Sequence, residues 1–137
     1  NLLTPMRLRF GGHITDHLEF HVLIRNLLRR ISSLMYFHCG ETLDCNFKGL
    51  IEKAAQVKIH SSELRWHDWE RYSARQNQRM TLGGLVGKIT YIGNLNEFIP
   101  FIKLGEYVHV GKGTTFGLGQ YEILGNLLQN DKGELYG

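Results

Sequence analysis

A long amphipathic segment, from His17 to about Phe37, constrains the fold of this chain more than any other feature of the sequence. Apolar residues recur in it every three or four positions, the spacing of one face of an α-helix. Asp16 is suited to cap its first turn. The segment is therefore the best-defined predicted element. Its apolar positions are Phe20, Leu23, Leu27, Leu28, Ile31, Leu34 and Met35.

Strand patterns lie on both sides of this helix. Leu2 to Phe10 predicts a strand, because Leu8 and Phe10 alternate with Arg7 and Arg9 before a pair of glycines. Phe47 to Gln56 has apolar residues at helical intervals and predicts a short second helix. Leu64 to Gln76 and Arg79 to Ile92 predict two long strands joined by a turn.

The last third of the chain predicts a helix, a loop and a closing strand. Pro100 favours a helix that begins with this proline in its first turn, and Gly105 is expected to interrupt it. Gly111 to Gly119 is a glycine-rich loop, and Gln120 to Leu124 predicts a short strand.

With the short helix treated as an insertion, the order of elements is β-α-β-β-α-β, the series of a ferredoxin-like fold. The fold class is therefore α+β, with an antiparallel sheet and two helices on one of its faces. We expect residues 1–126 to form a single domain and residues 127–137 to form a tail that frays.

Composition narrows the class of protein without deciding its function. The 137 residues suffice for one compact domain, and 42% hydrophobic with 21% charged residues is typical of a globular chain. A net charge of +3 permits a nucleic-acid or phosphate partner without requiring one. No apolar run approaches the roughly 18 residues of a membrane span. Cys39 and Cys45 match no zinc-site spacing, so a cytoplasmic chain without a metal or other cofactor is expected.

The glycine-rich loop is the first candidate site. Its glycines permit positive φ and leave no Cβ to hold a ligand away. Exposed backbone N–H groups there would form an anion site, to which Lys112 adds a charge. The spacing is neither that of a Walker loop nor that of a dinucleotide-binding motif. A tight structural turn accounts equally well for the glycines. The candidate RNA-binding residues of the loop are Gly111, Lys112, Gly113, Thr114, Thr115, Gly117 and Gly119, with Tyr121 as a further hydrogen-bond donor.

The first long strand is the second candidate site. At period two, three arginines, a histidine and a tryptophan project to one face, which suits an RNA backbone with base stacking on the tryptophan. Alternatively, the strand belongs to a solvated hairpin whose arginines pair with carboxylates. The face comprises Arg65, His67, Trp69, Arg71, Ser73 and Arg75, with Arg79 just past the turn; the opposite face comprises Leu64, Trp66, Asp68, Glu70 and Tyr72.

The long helix carries a polar stripe of His17, His21, Arg25 and Arg29. The two histidines have the spacing of metal ligands, but the glutamate that a zincin motif requires after the first histidine is missing. A solvent-facing stripe is the simpler interpretation. Its arginines, with Arg30, could instead meet RNA or another domain.

Six segments of the chain share the pattern of one known family: Thr4–Arg9, Leu27–Leu34, Trp66–Gln76, Gly84–Tyr91, Phe98–Glu106 and His109–Tyr121. They resemble the CRISPR-associated RAMP endoribonucleases that process repeat RNA. The resemblance extends from about Thr4 to Ile123, and the glycine-rich signature stands before the last predicted strand, where that family has it.

The resemblance implies that this chain is the second of two ferredoxin-like domains. The family's reaction is metal-independent and leaves a 2′,3′-cyclic phosphate and a 5′-OH. In many members the catalytic histidine lies in the first domain, so the catalytic residue is unknown and His109 is only an in-chain candidate. The implied partners are repeat RNA, the first domain, other CRISPR-associated proteins and a second copy of the chain. Two alternatives remain: a non-catalytic subunit that holds guide RNA, or a domain that binds a small phosphorylated ligand.

Overall fold

A computed structural model describes residues 1–40, 46–73, 78–114, 117–124, 128–129 and 135–136. Within these ranges it describes all side chains except those of residues 38–39, 69–73, 78–82, 128–129 and 135–136. The backbone of the described ranges forms three helices and seven strands, and the shortest strands have two residues.

The predicted first strand is divided in two. Strand β1 is Leu2–Met6, and β2 (Arg9–Phe10) forms a small hairpin with β3 (His13–Ile14). Leu8 is 1% exposed whereas Phe10 is 46% exposed, so the two apolar residues that alternation placed on one face do not share the same surroundings.

Helix α1 runs from Phe20 to Cys39 and therefore begins later than the predicted start at His17. The hydroxyl of Thr15 accepts a hydrogen bond from the His17 N–H at 3.1 Å, which holds this stretch in a local turn. Asp16 consequently does not cap the helix; Glu19 occupies the N-cap position. The helix ends at Gly40, whose left-handed conformation (φ +67°) directs its N–H to the Tyr36 carbonyl.

The predicted short helix is present as α2, Phe47–Ala54. The Asn46 side chain caps it by accepting a hydrogen bond from the Gly49 N–H at 3.1 Å. Between α1 and the next strand, α2 is the helical insertion expected from the sequence.

The two predicted long strands are present as β4 (Lys58–Ser73) and β5 (Gln78–Gly93), paired antiparallel along nearly their full length. Strand β4 begins at Lys58, well before the predicted start at Leu64. Strand β5 is central: β4 lies on one side of it and β1 on the other. On the outer side of β1, the sequence predicted a strand from Gln120 to Leu124, but the structure has only an isolated antiparallel bridge there, between Tyr121 and Leu2. In this part of the sheet the order is the Tyr121 segment, β1, β5 and β4, and each neighbour is antiparallel to the next. This is the strand order of a ferredoxin-like sheet and confirms the predicted fold.

Helix α3 is Ile99–Val108, with Pro100 in its first turn as predicted. Gly105 does not interrupt the helix, contrary to expectation. It is needed for close packing instead, since a Cβ at this position would lie 2.0 Å from the Tyr121 hydroxyl. The glycine marks the contact between α3 and the segment that follows the glycine-rich loop.

The core lies between the sheet and helices α1 and α3. Phe20 and Phe98 meet edge to face, with ring centroids 5.2 Å apart. Tyr91 is buried and donates its hydroxyl to the Leu18 carbonyl at 2.7 Å, and burial raises the pKa of this phenol. No side chain of the described set leaves a buried polar atom without a partner.

Two short strands lie near the C-terminus: β6 (Leu128–Gln129) pairs with β7 (Leu135–Tyr136), and β7 pairs with the end of β5. The domain boundary at residue 126 stays a prediction. Among the helices of the described residues, none has the length and apolar character needed to span a membrane.

Candidate nucleic-acid interface

The hairpin of β4 and β5 places Arg65 and His67 on the face of the sheet that the helices leave open. Both side chains are exposed. They line a groove of about 460 Å³ together with residues 1–5 of the β1 edge, Val86 and Gly87. A cation and an imidazole thus stand side by side above an accessible sheet surface, where a phosphate or a base edge could reach both.

The opposite face of β4 turns toward the helices. Leu64 packs against the core. Trp66 remains 45% exposed and its indole N–H donates to the Asp68 carboxylate at 3.0 Å. Trp66 also crosses Gly83, where a Cβ would lie 2.4 Å from the indole nitrogen. The alternation read from the sequence therefore separates an open cationic face from a face that covers the core.

Further along β4, the structure gives backbone positions. Trp69 lies opposite Leu82, Arg71 opposite Met80, and Tyr72 opposite Arg79. Arg75 falls in residues 74–77, outside the described residues. That Trp69 and Arg71 continue the row that Arg65 and His67 begin stays a prediction from alternation.

The glycine-rich loop is docked against β1. Gly119 (φ +76°) approaches the chain so closely that a Cβ would lie 1.9 Å from the Val110 carbonyl oxygen. Gly111 (φ +96°) approaches the carbonyl of Arg7 in the same way, at 2.5 Å. Both positions require glycine for two reasons: left-handed φ and lack of space.

Hydrogen bonds within the domain occupy four of the loop's N–H groups. Lys112 donates to the Arg7 carbonyl at 2.9 Å and Gly119 to the Pro5 carbonyl at 3.1 Å. Gly117 and Leu118 donate to carbonyls of the loop itself, at 3.1 and 3.2 Å. For these four groups the structure differs from the expected open anion cradle, because each already has an acceptor.

Side chains complete the docking of the loop. The Thr4 hydroxyl donates to the Gly117 carbonyl at 2.7 Å and accepts from the Gln120 N–H at 3.0 Å. Thr114 supplies the carbonyl that accepts from the Gly117 N–H, and Gly113 packs against Leu118. Thr115 lies outside the described residues. The Lys112 side chain is exposed to solvent.

Tyr121 is a structural residue rather than the ligand donor that the sequence suggested. It is 7% exposed, and its hydroxyl donates to the Ile102 carbonyl at 2.7 Å. Burial, reinforced by the Glu106 carboxylate, raises the pKa of this phenol. The hydroxyl therefore joins the end of the loop to α3.

His109 occupies the C-cap of α3 with φ +62° and ψ 168°, a conformation seldom adopted by a residue with a Cβ. Its N–H donates to the Gly105 carbonyl at 2.9 Å. The side chain is half-buried. At this strained position the chain leaves α3 and enters the glycine-rich loop.

The polar stripe predicted on α1 does not form a single surface. His17 precedes the helix and contacts Glu19 at 2.7 Å. His21 stacks edge to face on Phe10, over which Arg25 also lies at 5.6 Å. No group of three metal-ligating side chains occurs among the described residues. The two histidines therefore do not share the helical face that a metal pair needs.

Arg29 instead belongs to a cluster that sequence patterns could not reveal. It lines a cavity of about 280 Å³ with Arg9, Arg30 and Lys112, and with Asn26, Ser33 and Gly111. These residues come from three segments far apart in sequence, so no periodicity joins them. The cluster of Arg9, Arg29, Arg30 and Lys112 is called the basic pocket below.

Comparisons with known proteins agree with this architecture. The family model described as CRISPR-associated endoribonuclease Cas6 matches residues 1–121. No curated protein matches the chain. A solved structure described as a Cas6 product complex is similar at 21% sequence identity with a TM-score of 0.54, covering 87% of this chain and 48% of the other. The likeness shows a shared fold, and the chain spans about half the length of that structure.

Proposed function

The chain belongs to the family of the CRISPR-associated endoribonuclease Cas6, and we propose that it is the RNA-binding second domain of an enzyme that cleaves CRISPR repeat RNA. The family match over residues 1–121 carries this proposal. The open sheet face with Arg65 and His67 supports it, because it offers a charge and a ring where RNA could lie. The chain of the solved structure is about twice as long as this one, which is consistent with a first domain as partner.

The proposed reaction needs no metal. The 2′-OH of one nucleotide attacks the adjacent phosphate, its proton passes to a base, and the O5′ leaving group receives a proton from an acid. The products are a 2′,3′-cyclic phosphate and a 5′-OH. We place the catalytic histidine in the first domain, so the residues described here hold RNA rather than cut it. The cytoplasm is the proposed site of this reaction.

The proposed RNA contacts divide between two places. On β4 they are made by the row from Arg65 through His67, Trp69 and Arg71 to Arg75, followed by Arg79. At the glycine-rich loop they are made chiefly by Lys112 and Thr114, with Thr115 beside them. The loop glycines Gly111, Gly113, Gly117 and Gly119 contribute by giving the loop its shape.

The test is cleavage of cognate repeat RNA by the full-length protein in EDTA. We expect cleavage at one position, with a 2′,3′-cyclic phosphate on the upstream product. A substrate with a 2′-deoxynucleotide at the cleaved position serves as the control and should remain intact, because it lacks the attacking hydroxyl. Loss of cleavage on chelation, or cleavage of the deoxy substrate, would contradict the mechanism.

Binding and cleavage assays of the isolated 137-residue chain test what this half of the protein contributes. The isolated chain is expected to bind the same RNA weakly and to cleave it poorly. If the full-length protein binds tightly but never cleaves, the chain is instead part of a non-catalytic subunit that holds guide RNA. A small phosphorylated ligand that binds the chain and is not displaced by repeat RNA would favour a domain that binds such a ligand.

A further inference from the structure

We propose that the basic pocket binds a backbone phosphate of the repeat RNA, at a place separate from the open face of the β4–β5 hairpin. The inference rests on the proposed function and adds to it a contact surface on the side of α1. Arg9, Arg29 and Lys112 are its principal ligands, and all three side chains are exposed.

Three parts of the chain are held together to form this pocket. Asn26 is buried, with 9% of its surface exposed. Its side-chain amide donates to the Arg9 carbonyl at 3.2 Å and so fixes β2 against α1. The Lys112 N–H donates to the Arg7 carbonyl and fixes the loop against the same segment. The pocket is thus built by hydrogen bonds that do not use the cationic groups of Arg9, Arg29 or Lys112.

Arg30 has a different role from its neighbours. Its guanidinium donates twice to the Val108 carbonyl, at 3.2 and 3.0 Å, and ties α1 to the end of α3. It adds positive charge to the pocket while it holds the chain just before the strained His109. We therefore treat Arg30 as a positioning residue.

The charge of the pocket is uncompensated by its own lining. Four cationic side chains and no carboxylate line the cavity. The ion pair of Lys53 with Glu97 and the contact of His17 with Glu19 both lie elsewhere. Cations gathered within a Debye length, about 8 Å at physiological salt, repel one another. A bound anion would remove that repulsion, which is why this arrangement indicates a ligand rather than a stabilising network.

The chemistry of the lining selects phosphate over a nucleobase. None of the residues that line the cavity is aromatic, so it offers no surface on which a base could stack. Arginine forks and a lysine match the oxygens of a phosphodiester. Because four N–H groups of the loop already have acceptors, the anion contact near the loop passes to side chains, above all to Lys112.

The experiment compares two double variants of the full-length protein. Arg9→Gln with Arg29→Gln removes two positive charges from the pocket. Lys48→Gln with Lys103→Gln removes two charges from exposed sites on α2 and α3 and is the matched control. Affinity for cognate repeat RNA is measured over a range of salt concentrations, and urea unfolding shows that both variants remain folded.

Each phosphate contact contributes roughly 0.7 to 0.9 to the slope of log affinity against log salt. The pocket variant should therefore lose roughly 1.4 to 1.8 of slope, whereas the control should keep the wild-type slope. Equal slopes in the two variants would overturn the pocket while leaving the proposed function intact, provided the wild type still binds and cleaves the RNA. Wild-type protein that fails to bind repeat RNA would overturn both.

An outcome in which the pocket variant keeps the wild-type slope but loses association with another protein would also overturn the proposal. The pocket would then be an interface for an acidic protein surface. In the supporting outcome, the loss of slope occurs with the purified protein and RNA alone.

Discussion

The glycine-rich loop and the β4–β5 hairpin both suggest RNA contact in the sequence, yet the structure builds them in opposite ways. The loop turns its backbone inward: four of its described N–H groups donate to Pro5, Arg7 and the loop itself. The hairpin turns charge outward, with Arg65 and His67 exposed on the open face. Glycine content thus reports close packing here, whereas the alternation of arginines reports an accessible surface.

This contrast separates two kinds of substitution. Changes in the loop should alter stability first, because they affect the contacts between α3, the loop and β1. Changes on the hairpin face should alter RNA binding with little effect on stability, because surface substitutions away from packed contacts usually shift it by less than about 0.5 kcal/mol.

The largest expected effect follows from Gly119→Ala. The new Cβ would lie 1.9 Å from the Val110 carbonyl oxygen, at a residue with φ +76°. We expect a loss of about 3 kcal/mol in the free energy of unfolding, measured with urea. Gly117→Ala is the matched control, because its φ is also positive (+86°) but nothing lies within 4 Å of the new atom. It should cost about 1 kcal/mol. Equal losses would mean that the loop is not docked as described.

Gly105→Ala should cost about 2 kcal/mol, since the added Cβ meets the Tyr121 hydroxyl and lies 2.8 Å from Leu27. Tyr121→Phe alone should cost about 1 kcal/mol through loss of the hydrogen bond to Ile102. The double variant should be less destabilised than the sum, because removal of the hydroxyl frees space for the Cβ. Strict additivity in urea unfolding would argue against this contact.

His109→Gly should raise the free energy of unfolding by about 1 kcal/mol, because glycine adopts φ +62° without strain. The gain is reduced by the greater freedom of glycine in the unfolded chain. Single-turnover cleavage by the full-length variant should match the wild type, in keeping with a catalytic histidine in the first domain. A large drop in the cleavage rate without loss of RNA affinity would return His109 to a catalytic role.

The smallest effect concerns pH. Burial, and then the charge of Arg25, lowers the pKa of His21 below its ordinary value of 6.5. The unfolded chain therefore takes up this proton at higher pH than the folded domain does. Stability should fall as the pH drops through 6.5 and the lower folded pKa. His21→Gln should flatten this part of a urea-midpoint profile between pH 7.5 and 5; a profile of unchanged slope would exclude His21 as its source.

Elements governed by local periodicity were predictable. The body of α1, the two long strands and Pro100 in the first turn of α3 follow from apolar spacing and proline geometry. The start of α1 could not be predicted in this way, because a Thr15 hydrogen bond competes with helix formation just before Phe20. Gly105 was wrongly predicted to interrupt α3. Its role depends on Tyr121, which leaves no space for a Cβ at this position and is a neighbour only in three dimensions.

The candidate site shows the same division. Alternation along β4 placed Arg65 and His67 on one face, and both side chains line the groove on the open side of the sheet. It could not reveal that Arg9, Arg29 and Lys112 meet, because their approach depends on how β2, α1 and the loop pack together. Nor could it show that loop N–H groups already have acceptors.

The central claim, that the open face of the hairpin holds RNA, is tested most directly by the salt dependence of repeat-RNA affinity for Arg65→Gln with Arg71→Gln in the full-length protein. Alternation predicts that both residues share one face of β4, so two phosphate contacts should be lost and the slope of log affinity against log salt should fall by roughly 1.4 to 1.8. The urea midpoint should stay at the wild-type value. A slope equal to that of the wild type would contradict the claim and assign these arginines to a solvated hairpin.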